Sequence, residues 1–257
     1  MPYADAFVEV NAVPLFTRSN RVSLKRKPVL VFLHDSLGCT SLWRDFPKQL
    51  GEALSYDVFM YDRQGYGQSG PFSGTARGIS YLEDEARVLE QVLDAVQIDQ
   101  CILFGHSDGG SIALIAAALF PERIQAVITE GAHVFVEDIT LEGIRAAMHQ
   151  FETTDLAQKL SRYHGDKTSA LFDAWTRTWT APFFRSWNME HLLPAIACPV
   201  LAVQGADDEF GTPAQLDAIA SGAGAETLLM QGFGHNPHKE DPMATIRVVQ
   251  DFLDRLG

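Results

Sequence analysis

Gly105-His106-Ser107-Asp108-Gly109 sets a serine between two glycines, each two residues away. An apolar run, Cys101-Ile102-Leu103-Phe104, comes before it, and a helix-forming run from Ser111 to Leu119 comes after. A serine on so tight a strand-to-helix turn is forced into strained backbone geometry. That geometry lifts its hydroxyl out of the sheet and aims the next backbone N–H at the same spot, the arrangement called a nucleophile elbow. Its chemistry is nucleophilic acyl transfer, which needs a base within hydrogen-bond reach of Ser107 and an acid to orient that base. Among the eight histidines, His235 stands in a glycine-flanked loop, Gly232-Phe233-Gly234-His235-Asn236-Pro237, just ahead of the last helical run. Gln204-Gly205-Ala206-Asp207-Asp208-Glu209 supplies three acids. Asp208, third after Gly205, is the expected orienting acid, with Asp207 as the alternative. The chain order Ser, Asp, His suits such a triad at the ends of sheet strands.

The negative charge that develops in acyl transfer needs two backbone N–H donors, each worth roughly 10²–10³ in rate. One is expected from Asp108, directly after the nucleophile. The other is expected from Ser36 in His34-Asp35-Ser36-Leu37-Gly38, the loop after the first buried strand. A carboxylate beside the nucleophile would also favour a cationic amine near the scissile bond, or Asp108 could be held in a structural hydrogen bond; both readings stand. Glu130 is a second candidate contact for a cationic group or a reserve acid of the triad, against the plainer reading of a cap-anchoring glutamate. His106 is accounted for by packing and a backbone hydrogen bond. His133, His149, His164, His191 and His238 are expected to lie apart from carboxylates, so neither a metal nor a cofactor is expected.

These residues require a scaffold that ends several strands at one edge. Short β-rich runs alternate with longer helical patterns, which indicates a mostly parallel sheet covered on both faces. The expected strands are 29–33, 57–61, 101–104, 124–129, 200–203 and 227–230, after an N-terminal hairpin of 7–10 and 14–17. Helices are expected over 42–54, 80–96, 111–119 and 242–256. From 133 to 196 the alternation stops: the segment is helical and rich in aromatics, with Phe151, Tyr163, Phe172, Trp175, Trp179, Phe183, Phe184 and Trp187. It reads as a helical cap inserted between two core parts, 1–132 and 197–257, over the strand ends where ligands of such sheets bind. Most of its aromatics should form its own core and two or three should line the pocket, with Trp179 the candidate for substrate contact.

Composition narrows the partners. The 257 residues are 46% hydrophobic, enough for one sizeable domain. Twenty basic against 33 acidic residues leave a net charge of −13, which repels nucleic acid. Three cysteines, Cys39, Cys101 and Cys198, have neither metal-ligand spacing nor a disulfide framework, which fits a reducing cytoplasmic setting. No apolar run approaches the roughly 18 residues that cross a bilayer, and Met1 to Asp5 carries no leader signature. A small-molecule substrate is the expected partner, with a monomer or a homodimer both open.

With these residues in place, the chain resembles the α/β-hydrolases over its whole length. His34-Asp35-Ser36-Leu37-Gly38 is similar to that family's His-Gly-x-x-Gly oxyanion loop, with Asp35 where glycine is usual. Asp62-Arg63-Gln64-Gly65-Tyr66-Gly67-Gln68-Ser69 is similar to its Asp-x-x-Gly-x-Gly-x-Ser loop. Ser107, Asp208 and His235 match its triad. Within the family, Ser107-Asp108-Gly109-Gly110, Ile112 to Ala118, Glu142-Gly143-Ile144-Arg145 and His191-Leu192-Leu193-Pro194 resemble the valacyclovir hydrolase-like enzymes. Those cleave α-amino-acid esters and use the matching aspartate on the substrate ammonium. The resemblance implies a serine hydrolase acting on a small carboxylic ester, amine-bearing where Asp108 plays that part. C–C bond hydrolysis, enol-lactone opening or thioester hydrolysis on the same triad are the alternatives. A ligand receptor is a third reading, against which a complete triad counts.

Overall fold

The computed structural model describes residues 3–20, 29–72 and 77–256; Met1 and Pro2, read above for a leader, lie outside them. Eight strands form one sheet in the order β1-β2-β4-β3-β5-β6-β7-β8. The strands β1 (Ala4–Val10) and β2 (Val13–Ser19) make the expected hairpin, and β2 pairs antiparallel with β4 (Asp57–Tyr61). All other pairings are parallel: β3 (Val29–Leu33), β5 (Cys101–His106), β6 (Ile124–Glu130), β7 (Val200–Gly205) and β8 (Glu226–Met230).

The continuous apolar runs of the central strands follow from burial on both faces, as parallel sheets require. Val29, Val31 and Leu33 face one core together with Leu82, Leu89, Ile112 and Ile115. Leu30 and Phe32 face the other, with Leu50, Ile246, Val249 and Phe252. The helices that cover these faces are α1 (Phe46–Leu54) and α9 (Pro242–Asp254) on the second, and α2 (Tyr81–Ala95) and α3 (Asp108–Leu119) on the first. The helix expected from Leu42 divides. A 3₁₀ turn at Thr40–Trp43 ends at Arg44, whose φ of 52° breaks the run before α1 begins.

Between β6 and β7 the chain is helical: α4 (Asp138–Thr153), α5 (Leu156–His164) and α6 (Thr168–Trp179), followed by short 3₁₀ turns. Phe172, Trp175, Trp179, Phe184 and Trp187 are buried there, while Phe183 is exposed. Two further helices, α7 (Ala214–Ala223) and the single-turn α8 (Pro237–Glu240), were not legible as periodic runs.

Candidate active site

The strand order reverses at β3, which has β4 on one side and β5 on the other. In open α/β sheets a ligand crevice forms at such a switch point, beyond the carboxyl ends of the strands. Register sets what meets there: Leu33 pairs with Gly105 and His106 with Glu130, so the loop after β3 runs beside the elbow after β5.

At the elbow, Ser107 has φ 54° and ψ −120°, a backbone conformation that L residues rarely adopt. It is held by Ser107 N–H donating to Glu130 O at 2.8 Å, while Ser107 O accepts from Gly110 N–H at 2.8 Å. The glycines around it are demanded by close approach. A Cβ at Gly105 would lie 2.2 Å from Gly109 O, and one at Gly109 would lie 2.0 Å from Leu33 O. The Ser107 hydroxyl makes no hydrogen bond to any described residue and lines one cleft with His235.

His235 follows β8 and Asp208 follows β7, and tertiary structure closes the 27-residue gap between them. His235 Nδ1 lies 2.9 and 3.0 Å from the two Asp208 carboxylate oxygens, and both side chains are buried. Phe210 N–H donates a further bond to Asp208 at 2.8 Å. Burial works against both charges, but the mutual hydrogen bond and attraction prevail. The Asp208 carboxyl is held below its ordinary value and the His235 imidazolium is favoured above its own. Asp207, the alternative acid, is exposed and instead donates its N–H to Phe233 O.

In the loop after β3, Asp35 uses its side chain to shape the turn. One carboxylate oxygen accepts Leu37 N–H at 2.8 Å, and the other lies 3.1 Å from His106 Nδ1 and 3.6 Å from Lys239 Nζ. The residue that departs from the usual glycine thus ties the loop to the elbow. His106 also sets its Nε2 2.9 Å from His235 O. The backbone N–H groups of Ser36 and Asp108 have no acceptor among the described residues.

The cleft encloses about 550 Å³ of space, part of it open to solvent. Leu37, Trp175 and Phe210 supply apolar wall, and Asp35, Asn236 and Lys239 supply polar wall. Trp175 is the one aromatic of 133–196 on this wall, where two or three were expected. Phe210, Asn236 and Lys239 escaped the sequence reading, although Asn236 directly follows His235.

Asp108, Glu130 and Trp179 are not among the residues lining this cleft. Asp108 is buried and its Oδ2 accepts from Tyr81 OH at 3.1 Å, with Arg63 Nη1 at 3.8 Å; Trp179 Nε1 donates to the same Tyr81 OH at 2.7 Å. Glu130 is also buried. Its Oε1 accepts His238 N–H at 2.8 Å and its Oε2 lies against His238 Nδ1. The expectation that His238 stands apart from carboxylates is therefore corrected: a contact spanning 108 residues of chain has no local signature. Burial opposes the Glu130 charge, yet His238 holds its carboxyl below the ordinary value. Potential ligand atoms of His106, Glu130 and His238 lie within 4.8 Å of one another. Their polar atoms already face Asp35, the His235 carbonyl and each other.

Comparison with known proteins agrees with this fold. A family model described as alpha/beta hydrolase fold matches residues 28–186. The human serine hydrolase BPHL is 29% identical over 219 residues, spanning 80% of this chain and 72% of its own. A 2-hydroxy-6-oxononadienedioate/2-hydroxy-6-oxononatrienedioate hydrolase of Paraburkholderia phymatum is 28% identical, covering 72% of each. Among solved structures, an enol-lactonase from Burkholderia xenovorans superposes with a TM-score of 0.75 at 22% identity, over 97% of this chain and 100% of that one. From the elbow after β5, the reversal of strand order beside it and the match over 28–186, the chain belongs to the α/β-hydrolase fold family.

Proposed function

We propose that this hydrolase cleaves a small carboxylic ester through an acyl-enzyme on Ser107. The observation that carries the reading is a strained serine sharing one cleft with an imidazole that a buried carboxylate orients. Ser107 Oγ attacks the ester carbonyl carbon and its proton passes to His235 Nε2, while Asp208 holds Nδ1–H and stabilises the imidazolium. The carbonyl oxygen, now negative, takes the unpaired Ser36 and Asp108 N–H groups. Collapse expels the alcohol, which leaves with the proton from His235. Water then attacks the acyl-enzyme with His235 as base and releases the acid and the free serine.

Residues 133–196 act as a cap in this reading, with Trp175 closing the apolar side of the cleft. Asp35 and Lys239 face each other at the polar side, so the two charges of the wall offset one another. A second reading, C–C bond or enol-lactone hydrolysis on the same residues, is supported by the similar dienedioate hydrolase and the similar enol-lactonase.

The test is a burst of p-nitrophenol from a short-chain p-nitrophenyl ester, abolished by a serine-directed phosphonate. Ser107→Ala is expected to fold and to lose about 10³-fold or more in kcat. Turnover near that of the parent would end this assignment. A panel of acyl esters, amino-acid esters, ring-fission dienoates and enol lactones then separates the two readings by kcat/KM.

A further inference from the structure

The Ser36 N–H belongs to the peptide unit that also carries the Asp35 carbonyl. The chain has no cis peptide among the described residues, so these two groups point in opposite directions. Whatever holds the Asp35 carbonyl on one side aims the Ser36 N–H on the other.

Three donors converge on that carbonyl oxygen: His34 Nδ1 at 2.8 Å, Arg63 Nη2 at 2.9 Å and Gly38 N–H at 3.2 Å. The His34 tautomer is settled by its other nitrogen, because Nε2 accepts Arg63 N–H at 3.1 Å, which leaves the hydrogen on Nδ1. Arg63 Nη2 also reaches His34 O at 3.3 Å. The guanidinium is 1% exposed, and neither its Nε nor its Nη1 has a hydrogen-bond partner among the described residues. Its charge is balanced by the Tyr66 ring, whose centroid lies 4.7 Å from Cζ, by the Glu85 carboxyl, and by the Asp108 carboxylate 3.8 Å from Nη1.

Resting on the serine-hydrolase reading, we propose that Arg63 is a positioning residue for acyl transfer. Held by the Asp108 carboxylate, it holds the Asp35 carbonyl and so turns the Ser36 N–H toward the oxyanion. Asp108 then serves both donors, giving one N–H from its backbone and orienting the other through Arg63. Its carboxylate already has Arg63 and Tyr81 as partners, and a substrate ammonium is not what it binds.

Arg63→Met, Arg63→Lys and Asp108→Asn would be compared with the parent by circular-dichroism melting, by labelling of Ser107 with an aryl fluorophosphonate, and by kcat and KM on p-nitrophenyl butyrate and valine p-nitrophenyl ester. Arg63→Met is expected to lower kcat roughly 10- to 100-fold with KM within about twofold, less than the loss of a donor outright. Arg63→Lys, which keeps the charge and a donor, recovers part of that loss. Asp108→Asn lowers kcat by the same factor on both esters. A folded Arg63→Met with kcat within twofold of the parent overturns the proposal, as does Asp108→Asn raising KM for the valine ester alone. Should Arg63→Met fail to fold, unchanged kcat in both other variants overturns it equally. If the parent neither turns over an ester nor is labelled at Ser107, the serine-hydrolase reading itself falls, which is a different result from parental activity that ignores Arg63.

Discussion

A general base must give up its own proton before it can take one from serine. His235 is buried against Asp208, whose carboxylate outweighs burial and raises the imidazole above its ordinary value of 6.5. In the proposed reaction the neutral ring is the active form, so kcat/KM is expected to fall as pH drops through the raised value. Its acidic limb is expected with a midpoint above 6.5, read from a pH–rate profile. In Asp208→Asn the raising partner is gone, so the limb moves to lower pH while kcat falls by about 10³–10⁴. A limb at the same pH in that variant would remove Asp208 from its place beside His235.

Glu130 and His238 show a second acid–imidazole pair, behind His106 and away from the lining of the cleft. Removing one partner of a buried pair leaves the other uncompensated, at a cost of about 3–5 kcal/mol. Glu130→Ala is expected to lower the unfolding free energy from urea titration by about that amount, and the acidic limb of the surviving activity is expected to stay in place. A limb that moves would mean that this glutamate acts on His235.

At the scale of elements, the elbow works because β5 and α3 approach β3 so closely that no side chain fits between them. Gly109→Ala would put a methyl 2.0 Å from Leu33 O. A backbone carbonyl cannot swing aside as a flexible side chain would. The expected loss is at least about 1–3 kcal/mol in urea unfolding, together with lost activity. Gly78→Ala, with nothing within 4 Å among the described residues, is the control expected to leave both unchanged. The strands that carry the site were legible because each is a short apolar run buried on both faces. Their expected ends fell one or two residues short at His106, Glu130 and Gly205, where polar or glycine residues continue the pairing. The break at Arg44 escaped notice because periodicity runs on through it.

Across the whole molecule, three histidines are buried with bonding that suits the neutral ring. His34 and His164 each donate from one nitrogen and accept a backbone N–H at the other, and His133 donates to Phe210 O. Burial is the main cause that holds all three below the ordinary 6.5. Below that pH these three sites bind more protons in the unfolded chain than in the native one, so their share of the stability falls with pH, while the raised His235 contributes in the opposite sense. With three lowered rings against one raised, the urea midpoint is expected to drop between pH 7 and pH 5; a rising midpoint would overturn that balance.

Local order alone determined much of this protein: the strand–turn–helix around Ser107, the alternation that makes a parallel sheet, and the succession of Ser107, Asp208 and His235 along the chain. Short-range sterics and burial periodicity act over a few residues, so they are written in neighbouring letters. Only the tertiary structure decided which acid meets His235, that Glu130 is taken by His238, and that the Asp108 carboxylate faces Arg63 and Tyr81 rather than lining the cleft. These pairings join residues from 27 to 108 positions apart, across strands whose register sets their distances; the place of Asp208 after Gly205 pointed to the first, and no spacing pointed to the other two.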